Sequence, residues 1–273
     1  MTKAEFLVLI QHFYDEHGRH DLAWRHAITP YRILVSEIML QQTQVERVKE
    51  KFAAWVERWP DEHNLTDAKP SEVLVMWQGL GYNNRAKRLW EAARLVAADG
   101  WPTKRAELEA LPGIGPYTSG ALMAFAYDQS VVFVDTNIRR IMLHHFFKDR
   151  EDVPDKEVEQ KVAELLPDEW SPRKWYWALM DYGSHLGKIL RAENPNRRSK
   201  SYTKQSKFAG SVREVRGAML RALSAGPIAQ RTLWSRAEKD INRSIEKSQR
   251  KAALDGLEKD GLIQKTSTKV NLT

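Results

Sequence analysis

The sequence predicts an all-α domain followed by a small α+β domain of winged-helix type, and three observations carry that expectation. Up to about residue 190, apolar side chains recur at helical spacing with few strand-like runs. At Arg191 the composition shifts to the polar, basic, turn-rich stretch AENPNRRSKSYTKQSKFAGS. Over 211–273, three amphipathic patterns precede LIQKTSTKVNLT, which reads as a short β-hairpin. Three helices and a terminal hairpin give the winged-helix order, a relative of helix-turn-helix. The expected division is 1–190, a linker or DNA-tracking arm over 191–210, and 211–273.

Taken in order, Phe6, Leu7, Leu9, Ile10 and Phe13 predict a helix over 3–16 that ends at Gly18. A Pro-containing connection with Trp24 and Arg25 follows. Residues 31–57 read as two helices, the first burying Ile33, Leu34, Ile38, Met39 and Leu40. Two more over 70–98 meet at Gly79-Leu80-Gly81-Tyr82, with Arg85, Lys87 and Arg88 placed for phosphate contacts. A short helix over 103–110 leads to a hairpin, a helix over 116–126 leaves it, and Asp135 opens another over 136–147. Helices over 155–166 and 171–187 complete the set, the last with core residues Trp175, Trp177, Leu179 and Met180 interrupted by Asp181. In the last segment Val215, Met219, Leu220 and Leu223 mark one helix that stops at Gly226-Pro227. Thr232, Leu233, Trp234 and Ala237 mark a second, and Leu254 and Leu257 a third over 245–259.

The 273 residues carry a net charge of +7, unevenly spread. Residues 185–273 hold 20 basic and 8 acidic side chains, +12, against 23 and 28, −5, before them. A polyanionic partner fits that asymmetry, as does a solvated basic face. With no cysteine, disulfides and thiolate-held zinc or iron–sulfur centres are excluded for this sequence. His12, His17, His20 and His26 match no zinc spacing, so no metal site is expected. No apolar run approaches the roughly 20 residues of a membrane span, and the N-terminus lacks signal-peptide features. A soluble intracellular protein is expected.

The stretch LPGIGPYTSGALMAFAYDQSVVFVDTN, residues 111–137, holds the sharpest chemistry. Glycines at 113 and 115 permit positive φ and close backbone approach, and Pro116 suits the first turn of a helix. Amides exposed at such a turn can hold a phosphate. Asp135 then closes an apolar run, where it can cap the next helix and still act chemically. Glu37 sits among apolar residues. It is either a surface glutamate or a buried acid whose burial raises its pKa. Gln41-Gln42-Thr43-Gln44 offers amides and a hydroxyl to base edges or sugar-phosphate. Tyr82 can wedge into a base stack or pack in a core.

From Leu22 to Gly187 the chain resembles the MutY-type adenine DNA glycosylases of the helix-hairpin-helix superfamily. The matching strings, in order, are LAWR with TPYRI, SEIMLQQTQV, WQGLGY, LPGIGPYTSGA, VDTNIRR and ALMDYG. The resemblance implies a glycosylase fold of two helical subdomains. It implies a monofunctional base-excision-repair hydrolase that flips out adenine mispaired with 8-oxoguanine or guanine and cleaves its N-glycosidic bond. Glu37 matches the acid that protonates adenine N7, and Asp135 the carboxylate that stabilises the developing oxocarbenium ion. Tyr117 stands where lyase-active relatives have lysine, and Asn137 matches an asparagine beside the acid. Trp24, Arg25, Leu40 and Asp181 match positions lining the base pocket. Gln42 and Tyr82 match side chains that enter the stack, with Gln41 and Thr43 beside them, and Gly113 and Gly115 match the hairpin that grips the backbone. Arg197, Arg198 and Lys200 carry the basic loop's expected DNA contacts.

Three departures accompany the resemblance. The family's four cluster-ligating cysteines are missing, with Gly187 at the first position and RAENPNRRSKSYTKQSKF in place of the loop. The family's 8-oxoguanine-reading C-terminal domain is replaced by the winged-helix candidate, and Thr136 stands where glycine is usual. The expected cofactor is none, with a monovalent cation at the hairpin carbonyls left open. The expected partner is double-stranded DNA containing a mispaired or damaged base, bound by a monomer without a membrane. A thymine or uracil mismatch glycosylase and a non-catalytic DNA-binding protein are the alternatives.

Overall fold

A computed structural model of the chain describes residues 1–204 and 206–273. In chain order its α-helices are α1 Lys3–His17, α2 Pro30–Leu40, α3 Val45–Arg58, α4 Glu62–Thr66, α5 Pro70–Met76, α6 Asn84–Asp99 and α7 Arg105–Glu109. They continue with α8 Pro116–Phe125, α9 Thr136–His145, α10 Asp155–Leu165, α11 Pro172–Ile189, α12 Val212–Leu223, α13 Gln230–Ile241 and α14 Lys247–Lys259. Among the described residues there are three short strands: β1 Ile228–Ala229, β2 Ile263–Lys265 and β3 Lys269–Leu272. Among the described residues, no helix is long and apolar enough to cross a membrane. The chain forms two compact units, Met1–Leu34 with Pro102–Ala110 and Ile114–Lys204, and Val35–Trp101 with Leu111–Gly113 and Gln205–Thr273.

The first unit is helical, with α11 packed on α1, α8 and α9. Its core is aromatic: Phe6 meets Phe146 and Trp175 edge-on, and Phe133 stacks on Tyr176 at 4.1 Å between centroids. Edge and offset arrangements of this kind add to the burial of large rings. Helices α9 and α11 approach so closely at Gly183 that a Cβ there would lie 2.5 Å from the Asn137 carbonyl oxygen. Only glycine fits that crossing. The buried carboxylate of Asp181 draws the N-terminal segment inward. It accepts two bonds from Arg25, Nη1 to Oδ2 and Nη2 to Oδ1, both 2.8 Å, and two from the backbone N–H and Nε of Arg19. Burial pushes the Asp181 carboxyl up, but Arg25 and Arg19 outweigh it and hold it below the usual carboxylate range.

Residues 195–199, part of the expected linker, pack onto this unit. Pro195, Asn196 and Ser199 are buried, with Pro195–Arg198 forming a 3₁₀ turn. Asn196 Nδ2 donates to the Thr136 carbonyl at 3.1 Å, and Arg198 Nη2 to the Leu143 carbonyl at 2.8 Å. Composition marked this stretch as a linker or an arm along DNA, yet an amide and a guanidinium donate to carbonyls at the two ends of α9.

The second unit joins helices α3–α6 to the C-terminal segment. Trp55 packs edge-on against Trp59 and Trp77, and Val73, Leu89 and Val96 extend the buried layer. The C-terminal part has α12 against α13 and α14 and an antiparallel sheet in the order β1-β3-β2. Its register pairs Ile228 with Val270 and Ile263 with Leu272. The hairpin expected from LIQKTSTKVNLT is present, and β1 adds a third strand too short to register as a pattern. Helix α4, polar and brief, likewise left no periodic signal. Gln78 Nε2 donates to the Leu220 carbonyl and Lys87 Nζ to the Asp260 carbonyl, tying the C-terminal segment to α5 and α6.

Two outcomes are expected. Asp181→Ala strands two arginines and lowers stability in urea unfolding by about 3–5 kcal/mol, the cost of breaking a buried pair from one side. Burial, followed by the charges of His144 and Lys148, depresses His145 from 6.5 to about 4, while its Nε2 meets the Tyr182 hydroxyl at 2.9 Å. The folded state therefore keeps His145 neutral where the unfolded chain protonates it. Stability from this group is complete above pH 6.5 and lost as pH falls toward 4. His145→Gln should flatten that acid slope in urea titrations between those pH values.

Candidate functional site

Chemistry at a helix start needs the helix fixed, and in the first unit α8 and α9 are both anchored. Pro116 occupies the first turn of α8 and Gly115 its N-cap. Gly113 has φ +80°, and a Cβ there would meet Arg88 Cβ at 2.9 Å, so glycine is required. Gly115 differs from expectation: its φ is −100°, in ordinary extended backbone, with no atom within 4 Å of where a Cβ would lie. What glycine gives at 115 is open space beside the backbone rather than a left-handed turn.

Arg105 braces this corner. Its Nη2 donates to the Pro116 carbonyl at 2.9 Å, its Nη1 to the Val132 carbonyl at 3.1 Å, and its Nε to Glu109, which also accepts from Ser119 Oγ at 2.7 Å. The start of α8 and the chain leading to Asp135 are thereby linked. Sequence reading missed Arg105, because two of its partners are backbone carbonyls, which leave no mark in the sequence.

Asp135 caps α9. Its Oδ1 accepts from the backbone N–H groups of Asn137 at 2.8 Å and Ile138 at 2.7 Å, and its Oδ2 accepts from Asn137 Nδ2 at 2.8 Å. Asn137 Oδ1 in turn accepts from Arg140 Nη1, which also donates to the Gly183 carbonyl. Burial pushes the Asp135 carboxyl above its ordinary value of 3.8, while the Ile138 and Asn137 amides and the charge of Arg140 pull it back. Tyr117, half-buried on α8, lies edge-on to Phe133 at 5.8 Å. Asp135, Asn137 and Asn196 form one connected network through the first turn of α9.

The same unit joins Arg25 to Asp181, with Arg25 over the Trp177 ring at 5.2 Å and Trp24 buried nearby in sequence. Of the three basic residues expected at DNA, Arg197 and Lys200 are exposed, whereas Arg198 turns its guanidinium onto the Leu143 and Lys148 carbonyls.

In the second unit, Glu37 lies on α2 with 6% of its surface exposed, which settles its placement as interior. Leu40, Gln41 and Thr43 are half-buried, and Gln42 is exposed with φ +56°. Thr43 Oγ1 donates to the Leu80 carbonyl at 3.1 Å. Arg85 ties this turn to the Gly79–Tyr82 turn. Its Nη1 donates to the carbonyls of Ile38 and Gln41, both 2.6 Å, and its Nη2 to those of Leu80 and Gly81, both 2.9 Å. Burial lowers its pKa to about 10, so it stays charged at neutral pH. Arg85 thus gives its Nη donors to carbonyls, and Lys87 donates to the Asp260 carbonyl. Tyr82 is 38% exposed with φ +46°, so it is not core.

Among the described residues, no group of three or more His, Cys, Asp or Glu side chains could hold a metal ion. Each unit offers one acid: Asp135 caps α9 in the first, and Glu37 is interior in the second.

Known proteins resemble this chain in sequence and fold. Residues 35–168 match the HhH-GPD superfamily base excision DNA repair protein model. An adenine DNA glycosylase of Mycolicibacterium smegmatis is 37% identical, over 93% of this chain and 91% of its own length. One of Mycobacterium tuberculosis is 34% identical over 92% and 88%. A solved thermostable thymine-DNA glycosylase superposes with TM-score 0.58 at 27% identity, covering 67% of this chain and 86% of that one. An endonuclease III–DNA complex shares the fold with TM-score 0.54 at 18% identity, over 69% and 86%. The chain is a DNA glycosylase and belongs to the adenine DNA glycosylase family of the HhH-GPD base excision repair superfamily.

Proposed function

We propose that the protein removes adenine mispaired with 8-oxoguanine or guanine from duplex DNA, as a monomer, after flipping the base out of the stack. The observation that carries this is the Asp135 carboxylate, held by two backbone amides and Asn137 at the start of α9, in a chain whose 37%-identical relative is an adenine DNA glycosylase.

Adenine leaves poorly as an anion, so a ring nitrogen must be protonated as the bond to C1′ breaks. Glu37, interior and on the segment matching the family's acid, delivers that proton to N7. The sugar becomes cationic, and ionised Asp135 stabilises it electrostatically. Water then adds at C1′, and its proton goes to solvent or to the acid that donated the first one. Two carboxylates in unlike surroundings divide the roles, as in glycosidases. Tyr117, where a lysine would form a Schiff base, keeps the reaction hydrolytic. Trp24, Arg25, Leu40 and Asp181 shape the base pocket, and the Arg25–Asp181 pair supports that role by fixing a charged wall. Gln41, Gln42, Thr43 and Tyr82 act at the stack, and Gly113 and Gly115 at the backbone. Arg197 and Lys200 add phosphate contacts over 191–210, and a monovalent cation on the hairpin carbonyls would add to the grip. The helix and strand order of 211–273 supports a winged-helix-like module beside a glycosylase region spanning 1–190.

A second reading, excision of thymine or uracil from G mismatches, is favoured by the likeness to the thymine-DNA glycosylase. Single-turnover excision on duplexes carrying A:8-oxoguanine, A:G, A:C, G:T and G:U decides between them. The expected result is release of adenine alone, and release of pyrimidine alone reverses the assignment.

Glu37→Gln should slow excision about 10²–10⁴-fold, the range for removing a general acid. Asp135→Asn should slow it about 10²–10³-fold, the range for one electrostatic stabiliser. Because asparagine caps a helix as well as aspartate, Asp135→Asn should change thermal stability by less than about 1 kcal/mol. Asp135 must be ionised to act, and burial raises its pKa. Activity should therefore fall with decreasing pH along a limb centred above 3.8, and the pH–rate profile of Asp135→Asn should lack that limb.

A further inference from the structure

Tyr82 is held by the C-terminal segment. Its backbone is in the left-handed region at φ +46°, where a non-glycine residue is strained, and its ring is 38% exposed. Two guanidinium groups lie within cation–π range of that ring, Arg85 at 5.6 Å and Arg213 at 5.4 Å. Arg213 stands on the first turn of α12, and its Nη1 donates to the Tyr82 hydroxyl at 2.5 Å. Its Nη2 donates to the Ser206 carbonyl at 2.8 Å and to Ser206 Oγ at 3.0 Å, so the guanidinium is fixed from both sides. Helix α12 is itself anchored, through the Gln78 bond to Leu220 and the Arg216–Asp260 ion pair. Beside this contact opens a cleft of about 340 Å³, lined by Gln42, Gln78, Tyr82, Phe208, Arg213 and Leu220. Exposed aromatics among arginines and amides are the composition of a surface that stacks nucleobases.

We propose that Arg213 is a positioning residue for mispair recognition, holding Tyr82 in the conformation that engages the DNA stack. The proposal rests on the reading of Tyr82 as a stack-entering residue. It makes the C-terminal segment part of the base-reading surface rather than a separate tether. An exposed tyrosine free to change rotamer would lose that freedom on binding DNA, and Arg213 removes the loss beforehand. Because its donors are turned onto Tyr82 and Ser206, Arg213 acts through the ring rather than through a phosphate.

The test uses the full chain and a duplex bearing 2′-fluoro-2′-deoxyadenosine opposite guanine, which resists cleavage, beside a matched duplex, with affinities read by fluorescence anisotropy. Arg213→Ala should weaken mispair binding about three- to tenfold and leave matched-duplex binding nearly unchanged. Arg213→Lys, still able to donate to the phenol, should recover at least half of that loss on a logarithmic scale. In a Tyr82→Ala background, Arg213→Ala should have no further effect. Additive losses in the double variant, with a salt slope lower by about one, identify a phosphate contact and overturn the proposal. So does equal weakening on both duplexes, or a lysine that recovers nothing. If the wild type prefers the mispair but excises no base from a cleavable duplex, the catalytic reading fails while this comparison stands.

Discussion

The contacts around α9 in the first unit bear on one carboxylate, Asp135, in a place that discourages charge. Asp135 is partly shielded from water, and shielding alone would let it take up a proton. The unfilled amides at the start of α9 supply the compensation, since every helix leaves its first N–H groups without internal partners. The arrangement holds only while α9 stays fixed. Arg140 ties Asn137 to the Gly183 carbonyl, Gly183 lets α11 reach α9, and Asn196 secures the carbonyl of Thr136. Arg105 fixes the chain that delivers the aspartate. Each contact is ordinary; together they make the cap a rigid feature.

The second unit relies on a different economy. The chain reverses direction after α2 and again before α6, leaving carbonyls at both turns. One guanidinium satisfies both sets, so Gln41-Gln42-Thr43 and Gly79–Tyr82 behave as a single platform. The planar fork of arginine suits this task; a lysine's single nitrogen could not span two turns. The left-handed backbone at both Gln42 and Tyr82 is the local cost of presenting side chains outward from such tight turns.

Much of this was legible in the sequence, and the rest was hidden for physical reasons. Helical periodicity located the main helices, because burial of one face leaves a regular mark. Asp135 was visible twice over, as the end of an apolar run and as a helix cap. Glu37 was ambiguous, since its helix is apolar almost all round and periodicity cannot orient a single acid. The internal arginines could not be read: Arg85 and Arg198 reach carbonyls 44 and 55 positions away, and such bonds impose no local pattern. They therefore looked like DNA contacts. Of the two reasons given for Gly115, positive φ does not apply and open space beside the backbone does, because the motif marks the residue type without revealing its φ.

The strap over residues 195–199 has a chemical consequence beyond packing. It secures both ends of α9 through an amide, a guanidinium and a buried turn. Thiolates climb an oxidation ladder, and a metal centre built on them disassembles when they do. Amides and guanidinium groups do not enter that ladder. The helix that Asp135 caps is thus fastened by groups other than thiolates.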